Sequence, residues 1–333
     1  MWLTGRAIVE NVENKDNAEC PGGDRMQKQN AGTPSARQDS GEKRGVYIWQ
    51  QRRVAKETSC YRECHRGNGK RNARRETLMS ARPDSSTAMQ IEQLRALEIE
   101  EARGIQRAMV CVEPLRIEPV EIASRFRPVT EVGGDFLDYF RLEDKRLGLY
   151  LGDVVGKGLA AAMYAALAMG TMRGIHKSDV TPTAVMGLLN ERLRMRVVPG
   201  RYCAMQYAVY DPPTRLLSFA NAALPRPILI SPRGCREVGD GGLPSGLFAG
   251  AQYDAYSVRL EPAEAVLFCT DGILEARTAQ GDDFGLERIL DVCERNASAS
   301  PEALLDQLFA EVDAFTGDGP AHDDMTAILL KAS

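Results

Sequence analysis

Residues 149–170 read LYLGDVVGKGLAAAMYAALAMG, an apolar strand pattern joined to a helix pattern through a glycine-rich turn. The turn resembles a phosphate-binding P-loop, which carries four residues between its first glycine and Gly-Lys and then Ser or Thr. Here three residues separate Gly152 from Gly156, and Gly158 stands where the hydroxyl residue is needed. The spacing therefore argues against a nucleotide site and leaves a strand-to-helix turn that its glycines permit.

Strand and helix patterns come in blocks on both sides of this turn. Hairpins are predicted at residues 202–223, around the turn DPPT, and at residues 226–238. Thr181 followed by proline marks the start of one of two central helices, and two more helices precede a final strand, MTAILLKAS. Because the strands come in runs joined by hairpins, we predict an α+β fold with antiparallel sheets covered by helices.

The chain divides by charge. Residues 1–88 hold 17 Lys and Arg against 11 Asp and Glu, whereas the remaining residues hold 25 against 35. Low apolar content predicts a largely disordered basic tail over residues 1–88, because such segments bury too little surface to offset ordering. We expect a helix over residues 89–112 and a folded domain over residues 113–333.

The predicted helix at residues 89–112 is amphipathic. Its apolar residues recur at intervals of three and four with one wider gap, at Ile91, Leu94, Leu97, Ile105 and Met109. Such a stripe can pack on its own domain or on a second copy of the chain. A homodimer through residues 90–109 is therefore one hypothesis.

The composition also indicates where the chain functions. No apolar run reaches the roughly 18 residues of a membrane span, and the first residues lack the apolar core of a signal peptide. The eight cysteines include no CxxC pair. We expect a reduced, cytoplasmic protein without membrane association, and no nucleic-acid partner because the basic tail lacks a regular basic-aromatic pattern.

Aspartates stand at the ends of predicted strands at widely separated positions. Asp135 follows two glycines at a strand edge, and Asp153 and Asp271 end apolar strands. Asp323 and Asp324 immediately precede the last strand. Each alone is an ordinary turn residue, but carboxylates that meet on one rim of a sandwich repel one another unless cations hold them. Oxygen ligands without His or Cys favour magnesium or manganese.

These motifs together resemble the PPM family of metal-dependent serine/threonine protein phosphatases, in its bacterial RsbU/SpoIIE branch. The matching pieces follow the family's order and cover about residues 100–331: EVGGDFLDYF, YLGDVVGKGLAAAM, YAVYDPPTRLLSFANA, LFCTDGILEARTAQGDDFGLERI and DDMTAILLK. The resemblance implies a four-layer α-β-β-α sandwich with two central antiparallel sheets. It also implies that residues 89–112 form the linker helix that precedes this domain in many members.

The resemblance implies a site for two Mn²⁺ or Mg²⁺ ions. Asp153 would bridge both ions, Asp271 and Asp323 would complete the coordination of the first ion, and Asp135 would contribute to the second ion through water. The remaining implied groups are the Val154 carbonyl and Asp324, a weaker ligand candidate. Catalysis would act through a water held between the ions, so Asp153, Asp271 and Asp323 would be the catalytic set, and Lys157 could attract phosphate.

Departures from the family pattern leave two functions open. Val155 stands where many relatives have Ser, and residues 221–224 read NAAL in place of NAGH. His322 beside Asp323 could act as an acid, although a histidine beside a turn is more often a bystander. The first function is phosphatase activity on a small phosphorylated regulator of the anti-sigma-factor antagonist type. The alternative is a non-catalytic module of the same fold that signals through protein contacts.

Overall fold

Two antiparallel β-sheets form the centre of the fold in the computed structural model, which describes residues 85–177, 180–317, 319 and 321–333. The six-stranded sheet contains, in spatial order, β1 (Leu115–Ile117), β2 (Val120–Arg127), β11 (Met325–Ala332), β10 (Ala265–Cys269), β7 (Ile228–Ser231) and β8 (Gly234–Glu237). The five-stranded sheet contains β3 (Phe136–Arg141), β4 (Leu147–Val154), β5 (Cys203–Asp211), β6 (Leu216–Ala222) and β9 (Tyr256–Arg259).

Helices cover the outer face of each sheet. The described helices are α1 (Ser85–Met109), α2 (Leu159–Ile175), α3 (Pro182–Arg194), α4 (Asp271–Leu274), α5 (Gly285–Arg295) and α6 (Pro301–Thr316). Helices α2 and α3 pack on the five-stranded sheet, and α5 and α6 pack on the six-stranded sheet. The result is the predicted four-layer α-β-β-α sandwich.

The central strands are buried on both faces, which explains their nearly continuous apolar sequences. In β4, Leu149 and Leu151 point into the core between the sheets, and Tyr150 points toward α2 and α3. In β11, Ile328 faces the other sheet and Leu329 faces the helices. Successive side chains of a strand alternate between faces, so a strand between two cores needs apolar residues at every position.

The local signals in the sequence predicted most element boundaries. The hairpin at DPPT joins β5 to β6, and the Thr181 hydroxyl accepts a hydrogen bond from the Ala184 N–H (3.3 Å) as the cap of α3. One placement was wrong: Asp271 does not end a strand. Strand β10 ends at Cys269, and Asp271 is the first residue of the short helix α4; the Asp271 carbonyl accepts a hydrogen bond from the Glu275 N–H (2.7 Å). An apolar run gives no signal for the residue at which the backbone leaves the sheet.

The first described helix, α1, begins at Ser85, before the predicted start at Met89. Residues 1–84 of the predicted tail lie outside the described residues. Leu94, Leu97 and Ile105 of the apolar stripe are more than 60% exposed, so the domain does not cover them. No helix in the described ranges has the length and apolar character needed to cross a membrane.

Candidate metal centre

Asp135 lies immediately before β3 and is buried. Its Oδ2 accepts hydrogen bonds from the hydroxyls of Thr270 (2.8 Å) and Thr326 (2.6 Å). Burial raises the pKa of Asp135 well above its usual value, and the charges of Asp153 and Asp324 raise it further. The two threonines therefore fix this carboxyl in place, while its neighbours disfavour its charge.

The Val154 carbonyl lies beside the turn that carries Asp135. A Cβ added to Gly134 would lie 2.7 Å from the Val154 oxygen, so only glycine lets the two segments approach this closely. The Val154 N–H donates to the Gly134 carbonyl (3.3 Å). Gly134 thus allows the turn that carries Asp135 to pack directly against the end of β4.

Asp153 is the next-to-last residue of β4 and lies at the centre of the carboxylates. Burial raises its pKa to about 8, with further contributions from the charges of Asp271, Asp323 and Asp324. Burial likewise raises the pKa of Asp271 to about 6, followed by the charges of Glu275 and Asp323. The fold therefore brings together carboxylates from four separate segments of the chain.

Asp323 and Asp324 are adjacent in sequence but lie in different environments. Asp324 is buried, and its two oxygens accept from the N–H groups of Val129 (2.7 Å) and Gly134 (2.6 Å). Asp323 is half-exposed, and its Oδ2 lies 3.0 Å from the Lys157 ammonium. Asp324 therefore holds the backbone that precedes β3, whereas Asp323 has a carboxylate free to exchange its partner.

The donor set is suited to hard divalent cations. It consists of carboxylate and carbonyl oxygens, the ligands that magnesium and manganese prefer. In the described part of the chain, no three His, Cys, Asp or Glu side chains are already arranged as a metal-binding group. The partly buried, mutually repelling carboxylates would gain from a cation that draws them together.

Three residues at this centre received no role in the sequence-based prediction. Thr270 and Thr326 hold Asp135, and Gln106 of α1 bonds the turn before it. The Gln106 amide nitrogen donates to the Gly133 carbonyl (2.8 Å), and its oxygen accepts from the Gly133 N–H (3.0 Å). Thr270 and Thr326 lie within the motifs TDG and DDMT, but Gln106 lies on a helix whose sequence carries no signal for this contact.

The NAAL segment closes a turn on itself. The Asn221 side chain donates to the Leu224 carbonyl (3.0 Å) and accepts from the Leu224 N–H (3.0 Å). Ala223 between them, at the glycine position of the NAGH pattern, has a φ of 70°. His322, the other residue considered for catalysis, is exposed. The departure from NAGH therefore introduces backbone strain as well as a changed side chain.

Ala223→Gly should stabilise the protein by about 0.5 kcal/mol. The left-handed conformation costs alanine about 1 kcal/mol, and the flexibility of glycine in the unfolded chain offsets part of the gain. The midpoint of urea unfolding measures the change. Ala222→Gly, in buried β6, is the matched control and should destabilise. A lower midpoint for Ala223→Gly would contradict the prediction.

Comparison with known proteins places the chain among phosphatase domains. The family model described as stage II sporulation protein E (SpoIIE) matches residues 143–333, which include all the candidate aspartates except Asp135. The phosphoserine phosphatase RsbU of Bacillus subtilis is 24% identical over 253 residues, which cover 74% of this chain and 74% of RsbU. Protein IcfG of Synechocystis sp. is 24% identical over 263 residues, covering 70% of this chain. The chain spans only 41% of IcfG.

A solved structure shows the same architecture. The SiaA-PP2C domain of Pseudomonas aeruginosa superposes with a TM-score of 0.64 at 21% identity, and the match covers 76% of this chain and all of that domain. Identity at this level supports the fold alone. The comparisons confirm the predicted sandwich and the resemblance to the RsbU/SpoIIE branch.

Proposed function

The chain belongs to the SpoIIE family, and from this premise we propose that it is a metal-dependent protein phosphatase acting on phosphoserine or phosphothreonine. The observation that carries the proposal is the meeting of Asp135, Asp153, Asp271 and Asp323 from four segments at one partly buried centre, where their charges act on one another. The similarity to phosphoserine phosphatase RsbU, which extends over most of both chains, supports it.

The proposed cofactors are two Mn²⁺ or Mg²⁺ ions. Asp153, Asp271, Asp323 and the Val154 carbonyl would hold them directly, and Asp135 would act through water. Asp324 is the weakest ligand candidate because both its oxygens already accept backbone hydrogen bonds. When bound, such ions lower the pKa of a coordinated water and neutralise charge on a phosphoryl group.

The residues of the chain would position the reactants rather than attack. In the reaction, a water oxygen forms a bond to phosphorus, the bond from phosphorus to the serine oxygen breaks, and that oxygen takes up a proton. Thr270 and Thr326 hold the Asp135 carboxyl still. Lys157, on a flexible stem beside Asp323, could turn its ammonium to a phosphoryl oxygen.

A non-catalytic module remains the second candidate, favoured by the NAAL segment, whose asparagine closes its own turn. Manganese-dependent release of phosphate from a phosphoserine peptide distinguishes the two. The phosphatase should release phosphate with Mn²⁺ and lose this activity with excess chelator. A folded protein that releases none under either condition would support the binding module.

We also propose the substrate class and location of the enzyme. By resemblance to its family, the substrate is a small phosphorylated regulator of the anti-sigma-factor antagonist type, in a partner-switching pathway. The five described cysteines are free thiols, which suits a reducing compartment such as the cytoplasm. Assays of the purified protein against phosphoproteins encoded near it test the substrate class.

A homodimer through residues 90–109 is proposed from the exposed stripe of α1. Gln106, near the end of this helix, bonds Gly133 in the turn that leads to Asp135. A shift of α1 on dimerisation would therefore reach the metal centre through one side chain. Val132, the residue before Gly133, is buried, so the turn has little freedom to absorb such a shift.

Replacing Leu94 and Ile105 together by Asp should dissociate the dimer and change phosphatase activity. Placing charges in an apolar contact costs about 2 kcal/mol or more for each, because they lose water without gaining partners. Sedimentation velocity measures the association, and phosphate release measures the activity. Glu92→Ala with Glu98→Ala, also on α1, is the control. A monomer at every concentration of the unmodified protein would contradict the proposal.

A further inference from the structure

Arg201 packs against the turn that follows Asp153. It lies between α3 and β5, is half-buried, and donates from Nη1 to the Val155 carbonyl (2.5 Å). A Cβ added to Gly156, where φ is 96°, would lie 2.3 Å from the same nitrogen. The guanidinium therefore rests on the glycine of the turn, in space that any other side chain there would fill.

The pairing of β4 with β5 places this arginine at the turn that follows Asp153. Asp153 pairs with Ala204 and Val154 with Cys203, and beyond them the Val155 N–H donates to the Tyr202 carbonyl (3.1 Å). Burial and then the charge of Asp153 raise the pKa of Tyr202. Residue 201 therefore lies just before the strand whose Ala204 pairs with Asp153.

The charge of Arg201 has no carboxylate partner among the described residues, none of which lies within 4.0 Å of it as an ion pair. The other cation of the turn, Lys157, is paired with Asp323. One N–H of the guanidinium bonds the turn, and an arginine has five. Arg201 therefore keeps hydrogen-bond donors for an incoming anion beside the turn that follows Asp153.

We propose that Arg201 is a substrate-binding residue whose guanidinium hydrogen-bonds to the phosphoryl oxygens of the substrate. This inference rests on the proposed phosphatase function. The planar guanidinium donates paired hydrogen bonds that match phosphate oxygens, and its contact with the Val155 carbonyl fixes it in place beforehand.

Calorimetric titration of inorganic phosphate into Mg²⁺-loaded full-length protein tests the proposal without requiring turnover. Arg201→Gln should weaken phosphate binding about 10-fold, the effect of losing one charge-assisted contact of about 1.4 kcal/mol. Arg201→Lys keeps the positive charge but loses the paired N–H donors, so its affinity for phosphate should lie between those of Arg201→Gln and the unmodified protein. Arg233→Gln, an exposed arginine in the β7–β8 turn, is the control and should bind as the unmodified protein does.

A second measurement separates phosphate binding from support of the turn. With p-nitrophenyl phosphate, Arg201→Gln should raise KM about 10-fold while the Mn²⁺ concentration for half-maximal activity stays constant. Unchanged phosphate binding, or a shifted Mn²⁺ requirement with unchanged KM, would overturn the proposal and leave Arg201 as a support for the loop. An unmodified protein that binds phosphate but hydrolyses nothing would contradict the phosphatase function alone.

Discussion

Asp153→Asn should lower manganese-supported phosphate release more than about 100-fold. Even the loss of a residue that only hydrogen-bonds to a metal ligand lowers metal affinity or activity about 10- to 100-fold. The amide keeps the shape of the side chain but removes the charge that would bridge two cations. Phosphate release from a phosphoserine peptide measures the loss. Asp254→Asn, at an exposed position, is the control and should retain full activity. Unchanged turnover in Asp153→Asn would remove Asp153 from the metal site.

The same substitution should stabilise the metal-free protein. Burial and neighbouring charges raise the pKa of Asp153 from 3.8 to about 8, which means that the ionised carboxylate is less stable in the folded state than in the unfolded chain. Such a carboxyl lowers the stability of the fold increasingly as the pH rises from the pKa of the unfolded state to the pKa of the folded state. At pH 7 most of this loss of stability is present. Thermal unfolding with chelator at pH 7 should show a higher Tm for Asp153→Asn. A lower Tm would show that the acidic cluster is not under repulsion.

Asp324→Ala should destabilise the fold by about 3 kcal/mol, because the backbone N–H groups of Val129 and Gly134 would each lose a charged acceptor. The neighbouring substitution Asp323→Ala breaks only a half-exposed ion pair with Lys157 and should cost less than about 1 kcal/mol. Asp323→Ala should nevertheless abolish phosphate release, since it removes a proposed metal ligand.

Urea unfolding measured without metal, beside phosphate release measured with Mn²⁺, tests this contrast between two adjacent aspartates. Asp324→Asn keeps one acceptor oxygen and should lose less stability than Asp324→Ala. Equal unfolding midpoints for Asp323→Ala and Asp324→Ala would contradict the assignment of Asp324 as the residue that holds the turn before β3.

Much of the fold could be predicted from the sequence because its signals are local. A hairpin turn such as DPPT or a Thr-Pro helix start depends on the conformational preferences of a few consecutive residues. The strand runs of β4 and β11 are apolar at successive positions, which indicates burial on both faces. The aspartates of the metal centre could be singled out for the same reason, since each adjoins such an element.

By itself, then, the sequence determined the element order, the antiparallel sandwich and the identity of the acidic residues. The tertiary structure decided their separate contacts and burial, since these depend on how distant segments pack together. Asp324 is hydrogen-bonded to Gly134, which lies 190 residues away in the sequence, and Thr326 is hydrogen-bonded to Asp135, which lies 191 residues away. The contacts of Gln106 with Gly133 and of Arg201 with Val155 arise in the same way. The spacing of residues within one segment does not predict which side chains come into contact when two sheets pack together. These contacts depend on strand register and on which faces are buried throughout the domain.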